Sequence, residues 1–160
     1  SWKERNNNIS YQFVITRDDE IRNEKKVKLD IKKEAFKAYG RIEDDREKLI
    51  AILKLISNSS ISKDSKLDWV QGKVEEYVDT KPKQFLDILN DPNFDTKVLI
   101  EKAVDAGIIL KKSGKYSTID GLDLAEDGEV PSYTNAVRYL SNPKHQEVAL
   151  LIEGRLENNQ

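Results

Sequence analysis

The most constraining feature of the sequence is a helix that runs into a short basic hairpin. Residues 96–106 carry aliphatic side chains at helical spacing, and Gly107 follows as a stop signal. A brief apolar run then leads into the turn Lys111-Lys112-Ser113-Gly114-Lys115, and a second strand continues through Tyr116. A helix followed directly by a small hairpin is typical of a winged helix. The pattern therefore predicts a winged-helix-like C-terminal lobe.

The rest of the chain is dominated by helical periodicity. An alternating segment, residues 11–16, predicts an N-terminal strand, and the acids of residues 18–20 predict a helix start directly after it. Residues 27–31 fit that helix, with a short strand as the alternative. We expect a mainly α (α+β) fold: an N-terminal strand plus helices, then the winged-helix-like lobe with its small β-hairpin. Helix starts are predicted at Asp44 or Asp45, Ser65, Pro82, Asp95 and Ser132.

A serine-rich segment divides this pattern into two parts. Residues 57–66 read SNSSISKDSK, a composition typical of a loop. We therefore predict an N-terminal strand–helix–helix lobe over residues 1–57 and a C-terminal helical, winged-helix-like lobe over residues 65–160. Aromatic residues at helical spacing are expected in the core: Trp69, Tyr77, Phe85 and Phe94. The last helix is expected to bury Val148, Leu151, Ile152 and Leu156.

The composition argues against most catalytic chemistry. The 160 residues contain no cysteine and a single histidine, His145, which we expect to be solvated at the surface. No second histidine or cysteine exists to share a metal with it, and no glycine-rich phosphate loop is present. The acids of residues 120–129 do not match a calcium-loop spacing. We therefore expect a non-enzymatic protein with no metal and no cofactor.

The charge pattern makes nucleic-acid binding the alternative rather than the leading interpretation. The net charge is −2, and residues 119–160 carry three Lys or Arg against eight Asp or Glu. In a winged helix, residues 96–106 would read the bases, but their lysines are balanced by Glu101 and Asp105. The candidate phosphate-contacting and stacking residues are Lys97, Lys102, Lys111, Lys112, Lys115 and Tyr116.

The N-terminal segment offers a candidate protein-binding surface. Its aromatic residues are Trp2, Tyr11 and Phe13, and the strand predicted there has no obvious partner. An unpaired strand edge is a docking surface, since its backbone groups can bind a strand of another chain. No apolar run is long enough to span a membrane, so no membrane partner is expected.

Several stretches of the C-terminal half resemble a group of phage proteins. They are residues 82–92, 96–97, 100–109, 114–116 and 142–148. Together they are similar to poorly characterised tailed-bacteriophage proteins encoded among virion and head genes. The resemblance implies a structural or DNA-associated phage protein located in the host cytoplasm or the virion, and it supplies no functional residues.

Two functions follow as expectations. The first is a phage structural or assembly protein that acts by protein–protein binding, to other phage proteins or to itself, through the N-terminal strand and exposed helix faces. The second, the alternative, is a winged-helix DNA-binding regulator, with non-specific contact to duplex DNA as its weaker form.

Overall fold

The computed structural model describes residues 16–58, 61–62 and 64–159. Within them the chain is mainly helical with one small antiparallel sheet, which confirms the predicted fold class. The elements are α1 (Arg17–Gly40), α2 (Arg46–Ser57), α3 (Leu67–Thr80), α4 (Pro82–Leu89), α5 (Phe94–Asp105), β1 (Ile109–Lys112), β2 (Lys115–Thr118), α6 (Tyr133–Ser141), a 3₁₀ turn (Pro143–His145) and α7 (Gln146–Asn158).

Helix α1 begins where its acidic residues predicted. The Thr16 hydroxyl caps it by accepting a hydrogen bond from the Asp19 backbone N–H, at 3.2 Å. Residues 27–31 lie inside the helix, so the alternative of a short strand there is wrong. The four-residue steps from Val27 through Ile31 to Ala35 suit a helix face, and this longer periodicity prevails over the local alternation. The strand predicted over residues 11–16 falls almost entirely outside the described residues.

Three of the predicted helix starts are confirmed. Asp45 caps α2 by accepting from the Lys48 backbone N–H, at 3.1 Å. Ser132 caps α6 in the same way, and Pro82 occupies the first turn of α4. Each of these starts depends on residues within one helical turn, which explains why the sequence alone predicts them.

Two predicted starts are wrong by one or two residues. The N-cap of α3 is Lys66 and not Ser65, whose carbonyl instead accepts a hydrogen bond from Arg46 Nε at 2.8 Å. Helix α5 begins at Phe94, before Asp95. The carboxylate of Asp91 accepts from the Asn93 backbone N–H at 2.8 Å, and this local turn starts the helix early.

The buried side chains form two clusters. The first lies among α1, α2, α3, α4 and the first half of α5, and ends at Val98. The second begins at Ile100 and lies among the second half of α5, the hairpin, α6 and α7. The two clusters therefore meet within α5. Helices α2 and α3, which flank the serine-rich segment of residues 57–66, pack against each other inside the first cluster.

The aromatic core is only partly as predicted. Phe85 and Phe94 are buried and Tyr77 is half-buried against the first cluster. The prediction that Trp69 is buried is wrong, since Trp69 is 48% exposed. The prediction for Leu151 on α7 is also wrong: Leu151 is 50% exposed, although its neighbour Ile152 is buried. Adjacent side chains of a helix point about 100° apart around its axis. A small error in the predicted orientation of the helix therefore places a whole side chain on the wrong side, in solvent rather than in the core.

The predicted hairpin is present and tight. Strand β1 pairs with β2 so that Lys112 lies opposite Lys115 and Lys111 lies opposite Tyr116. Ser113 and Gly114 form the turn with φ values of 51° and 74°. Positive φ at both central residues is typical of the two-residue turns that match the twist of paired strands.

The acidic segment of residues 119–131 folds against the outer edge of β2. The Leu124 backbone N–H donates to the Tyr116 carbonyl at 3.1 Å, and the Tyr116 N–H donates to the Pro131 carbonyl at 2.8 Å. Ser117 and Asp123 form an isolated bridge, and the Leu124 side chain is fully buried in the second cluster. The segment is therefore part of the lobe's structure, and it closes one edge of the sheet.

Candidate functional site

The tip of the hairpin presents three of the predicted basic residues. Lys111, Lys112 and Lys115 are all exposed. Lys111 Nζ lies 5.7 Å from the centre of the Tyr116 ring, and none of the three lysines forms an ion pair among the described residues. The acidic segment runs along β2 and leaves the three lysines exposed to solvent. The hairpin tip is therefore a small surface with three positive charges.

Tyr116 does not belong to that surface. Its side chain is only 5% exposed and its ring lies 5.7 Å from that of Tyr133, tilted by 57°. A ring enclosed in this way cannot stack on a nucleotide base, so the predicted stacking role of Tyr116 is not supported. Its place at the second position of β2 puts it on the inner face of the sheet, whereas the neighbouring Lys115 points outward.

The two predicted lysines of α5 are engaged in ion pairs. Lys97 donates to the Asp91 carboxylate, and this contact lowers the pKa of Asp91 together with the backbone N–H of Asn93. Lys102 Nζ lies 2.7 Å from Glu47 Oε2, on α2. Both lysines are half-buried and hold α5 to its neighbours.

Helix α5 itself is enclosed and does not resemble a groove-reading helix. It packs against α2, α6, α7 and β1. Of the twelve residues of α5, only Asp95 is exposed. A recognition helix needs a free face several residues long to enter the major groove of DNA. The order of helix, turn, helix and hairpin is that of a winged helix, but its second helix has no such face.

A cluster of charges that the sequence did not reveal joins α2 to α5. Lys54 Nζ lies 2.6 Å from Asp105 Oδ1 and 3.6 Å from Glu101 Oε2, and the Lys54 side chain is 11% exposed. Burial raises the pKa of Glu101, and the charge of Lys54 partly opposes this effect. The cluster borders an open cleft of about 400 Å³ that also reaches Lys111 and Tyr116.

The single histidine has partners that contradict the expectation of a solvated surface residue. The His145 ring stacks on Tyr139 with centroids 3.8 Å apart, and its Nε2 lies 2.5 Å from Glu126 Oε1. This contact lowers the pKa of Glu126. His145 therefore attaches the acidic segment to the 3₁₀ turn before α7. No group of three acidic, histidine or cysteine side chains among the described residues could hold a metal ion.

Among the described residues, the longest unbroken run of exposed positions covers the first half of α1. Every residue from Arg17 to Asp30 is exposed, while the second half of the helix packs on α3 and α4. At about 1.5 Å per residue this half is about 21 Å long. Four apolar residues of α1 are exposed: Ile21, Val27, Leu29 and Phe36. The polar composition of residues 17–30 is the sequence signal that could have revealed this helix as solvent-exposed.

The three predicted protein-interaction residues, Trp2, Tyr11 and Phe13, lie outside the described residues. Among the helices that the structure describes, none has the length and apolar character needed to cross a bilayer. Comparison with protein families, with curated proteins and with solved structures finds no match to this chain.

Proposed function

We propose that this chain is a non-enzymatic binding protein, a structural or assembly component of a tailed bacteriophage, that joins its partner by protein–protein contact through α1. The phage context rests on the resemblance of the C-terminal half. The mode of action rests on one observation, which is that the first half of α1 is a helix with no side chain buried among the residues that the structure describes.

The limited stability of an exposed helix supports the proposal that α1 binds a partner. Isolated helices shorter than about 12–15 residues are marginal in water, because nucleation is costly and tertiary packing supplies most helical stability. The exposed half of α1 receives its N-cap from Thr16 and is anchored by the second half of the helix, but within the described part of the chain none of its own side chains is buried. Contact with another molecule would supply that packing.

The apolar residues of α1 define the contact face. Ile21, Leu29 and Phe36 are separated by eight and seven residues, which places them on one side of the helix. We name these three residues the outer stripe of α1. Val27 is equally apolar and exposed, but it precedes Leu29 by two residues and lies about 200° around the helix from it. Helix stripes of this kind bind into grooves or against partner helices.

Site-specific crosslinking tests this function. A photoreactive amino acid placed at Leu29 should give a defined protein adduct in cells that produce the chain's natural partners, and the adduct should be found in assembled particles. The same group placed at Val130, which is exposed on the acidic segment, serves as the matched control. The absence of any adduct from Ile21, Leu29 and Phe36 would contradict the proposal.

A second candidate function is favoured by the hairpin tip, where Lys111, Lys112 and Lys115 are exposed together. These lysines could contact backbone phosphates of duplex DNA without reading sequence. A titration with duplex DNA at roughly 50 mM and 200 mM salt tests this, because phosphate contacts release counterions and bind less tightly as salt rises. Replacing the three lysines with Ala should flatten that dependence. No binding at the lower salt concentration would remove this candidate.

A further inference from the structure

We propose that the partner of α1 is a second copy of this chain, whose helix α7 receives the outer stripe, so that copies join head to tail. This inference rests on the proposed function and names the occupant of the α1 surface. Two helix faces of the chain support this inference. Both are exposed and partly apolar, and their charges are of opposite sign.

The basic face is that of α1. From Arg22 to Lys37 the helix carries seven Lys or Arg against three Asp or Glu. The basic residues beside the outer stripe are Arg22, Lys25, Lys32 and Lys33. Of the three acids, Glu34 points about 100–200° away from Lys32 and Lys33. Glu24 and Asp30 each lie three residues from a residue of the face, Ile21 and Lys33 respectively, and therefore stand about 60° from it, at the border of the basic face. Lys32 contacts Asp79 of α3 at 2.5 Å, and the other three basic residues have no ion pair among the described residues.

The acidic face is that of α7. Leu150 and Leu151 are 55% and 50% exposed, although helix leucines of this kind are usually buried. Glu147 precedes them by one turn and Glu157 follows by about two turns, and both are exposed without an ion pair among the described residues. Gly154 lies between the two glutamates in sequence, and the space beside it is open, since a Cβ at this position would have no contact within 4 Å. The face therefore has leucines and a small residue in its middle and an acid near each end.

The spacings of the two faces match. Glu147 and Glu157 are ten residues apart, which is about 15 Å along a helix. On α1 the basic pairs Arg22/Lys25 and Lys32/Lys33 lie on either side of Leu29, with centres about 14 Å apart. Leu29 can therefore pack beside Leu151 and above Gly154. One glutamate then meets Arg22 and Lys25 and the other meets Lys33, while Lys32 keeps its contact with Asp79. Opposite charges at both ends favour this register and speed encounter.

This contact joins two different surfaces, and in the head-to-tail arrangement that we propose a pair makes it only once. The pair still offers one free α1 and one free α7, so further copies add until a ring closes or a filament forms. A repeated ring or fibre is a form that suits a component of a particle.

The acidic segment also exposes apolar side chains, those of Ile119, Leu122 and Val130. These residues lie on a loop and lack the helical spacing that matches α1.

Sedimentation of the purified chain from about 1 µM to roughly 1 mM tests the inference, since this range covers weak and moderate affinities. The mass should rise beyond that of a dimer with concentration, and it should fall when salt is added, because screening weakens the charge pairs. Leu29→Asp and Leu151→Asp, each at an exposed position, should both be folded monomers. Val27→Asp, on the other side of α1, should associate as the unaltered chain does.

Mixing the two monomeric variants gives the decisive result. Leu29→Asp retains its α7 face and Leu151→Asp retains its α1 face, so a mixture should form a one-to-one pair and nothing larger. Three results would overturn the inference: an unaltered chain that stays monomeric throughout, a mixture that stays monomeric while the unaltered chain associates, or unchanged association of either variant. If Leu29 then crosslinks to a different protein, the proposed function stands and this inference alone is lost. If Leu29 crosslinks to nothing, both are lost.

Discussion

His145 and Tyr139 lie ring against ring, 3.8 Å between centroids and 13° from parallel, with Glu126 at hydrogen-bond distance from the imidazole. Tyr139 is on α6, His145 ends the 3₁₀ turn, and Glu126 comes from the acidic segment. Three parts of the C-terminal lobe are thus held at one point by one aromatic stack and one polar contact.

The contact predicts a pH dependence of stability that runs through Glu126. The lowered pKa of Glu126 means that the unfolded chain binds a proton more readily than the folded one. Its contribution is therefore present above the usual glutamate pKa and is lost as the pH falls through the lowered pKa. Glu126→Gln should make the free energy of unfolding less dependent on pH in that acidic range, as measured by denaturant titration.

Asp127→Asn is the control for that experiment, because Asp127 is the exposed neighbour on the same segment. It removes the same charge without touching His145. An equal flattening of the pH dependence in both variants would show that the acidic segment acts through its overall charge, and it would contradict a specific contact between Glu126 and His145.

The charge cluster that joins α2 to α5 predicts a loss of stability when its cation is removed. Lys54→Met leaves Glu101 and Asp105 half-buried without their cation, and we expect a loss of about 1–3 kcal/mol in the free energy of unfolding at neutral pH. Because burial already raises the pKa of Glu101, the loss should be smaller in mildly acidic solution, where that carboxyl can take up a proton. Adding Glu101→Gln and Asp105→Asn to Lys54→Met should restore part of the stability.

A surface pair supplies the comparison for Lys54. Lys73 lies 3.8 Å from Glu76 with both side chains largely exposed, and Lys73→Met should change stability by no more than about 0.5 kcal/mol. A loss as large as that of Lys54→Met would indicate an effect of the methionine itself rather than of the lost charge.

The hairpin turn predicts two opposite changes of stability. Ser113 adopts a positive φ that asparagine tolerates better, so Ser113→Asn should stabilise the protein by a few tenths of a kcal/mol. Gly114→Ala introduces a Cβ at a φ of 74° and should cost about 1 kcal/mol. Thermal unfolding of both variants measures the difference, and equal midpoints would contradict the turn geometry.

The folded acidic segment predicts a large effect from one leucine. Leu124 is fully buried, and Leu124→Ala should lower the free energy of unfolding by about 2–4 kcal/mol. Hydrogen exchange at the Leu124 and Tyr116 amides should also become faster, since the Leu124 amide donates to the Tyr116 carbonyl of β2 and the Tyr116 amide donates to the Pro131 carbonyl at the end of the segment. Leu122→Ala, at a 44% exposed position, should stay within about 0.5 kcal/mol. Similar losses in the two variants would mean that the segment does not pack as described.

Local sequence predicted the parts of the fold that depend on local contacts. Asp45 and Ser132 cap helices through the next turn, and Ser113-Gly114 builds its hairpin from two residues, so these features are readable from the chain. The N-cap at Lys66 is not, because Ser65 is engaged by Arg46, nineteen residues earlier. Likewise Lys102 meets Glu47 across the protein, a partner that no local pattern reveals.

The candidate surfaces were harder to predict for the same reason. Tyr116 sits beside three lysines in sequence, yet its alternate position on β2 turns it into the core. Leu151 and Ile152 both belong to the apolar stripe predicted for the last helix, yet only Ile152 is buried and Leu151 is 50% exposed. In both cases the deciding factor is which neighbour covers a face, and that depends on the tertiary packing.

Because α5 contributes Val98 to one core and Ile100 to the other, neither core is complete without it. Loosening this one helix would open both at once, so we expect heat or denaturant to melt the two in a single cooperative transition, with no half-folded species surviving between them.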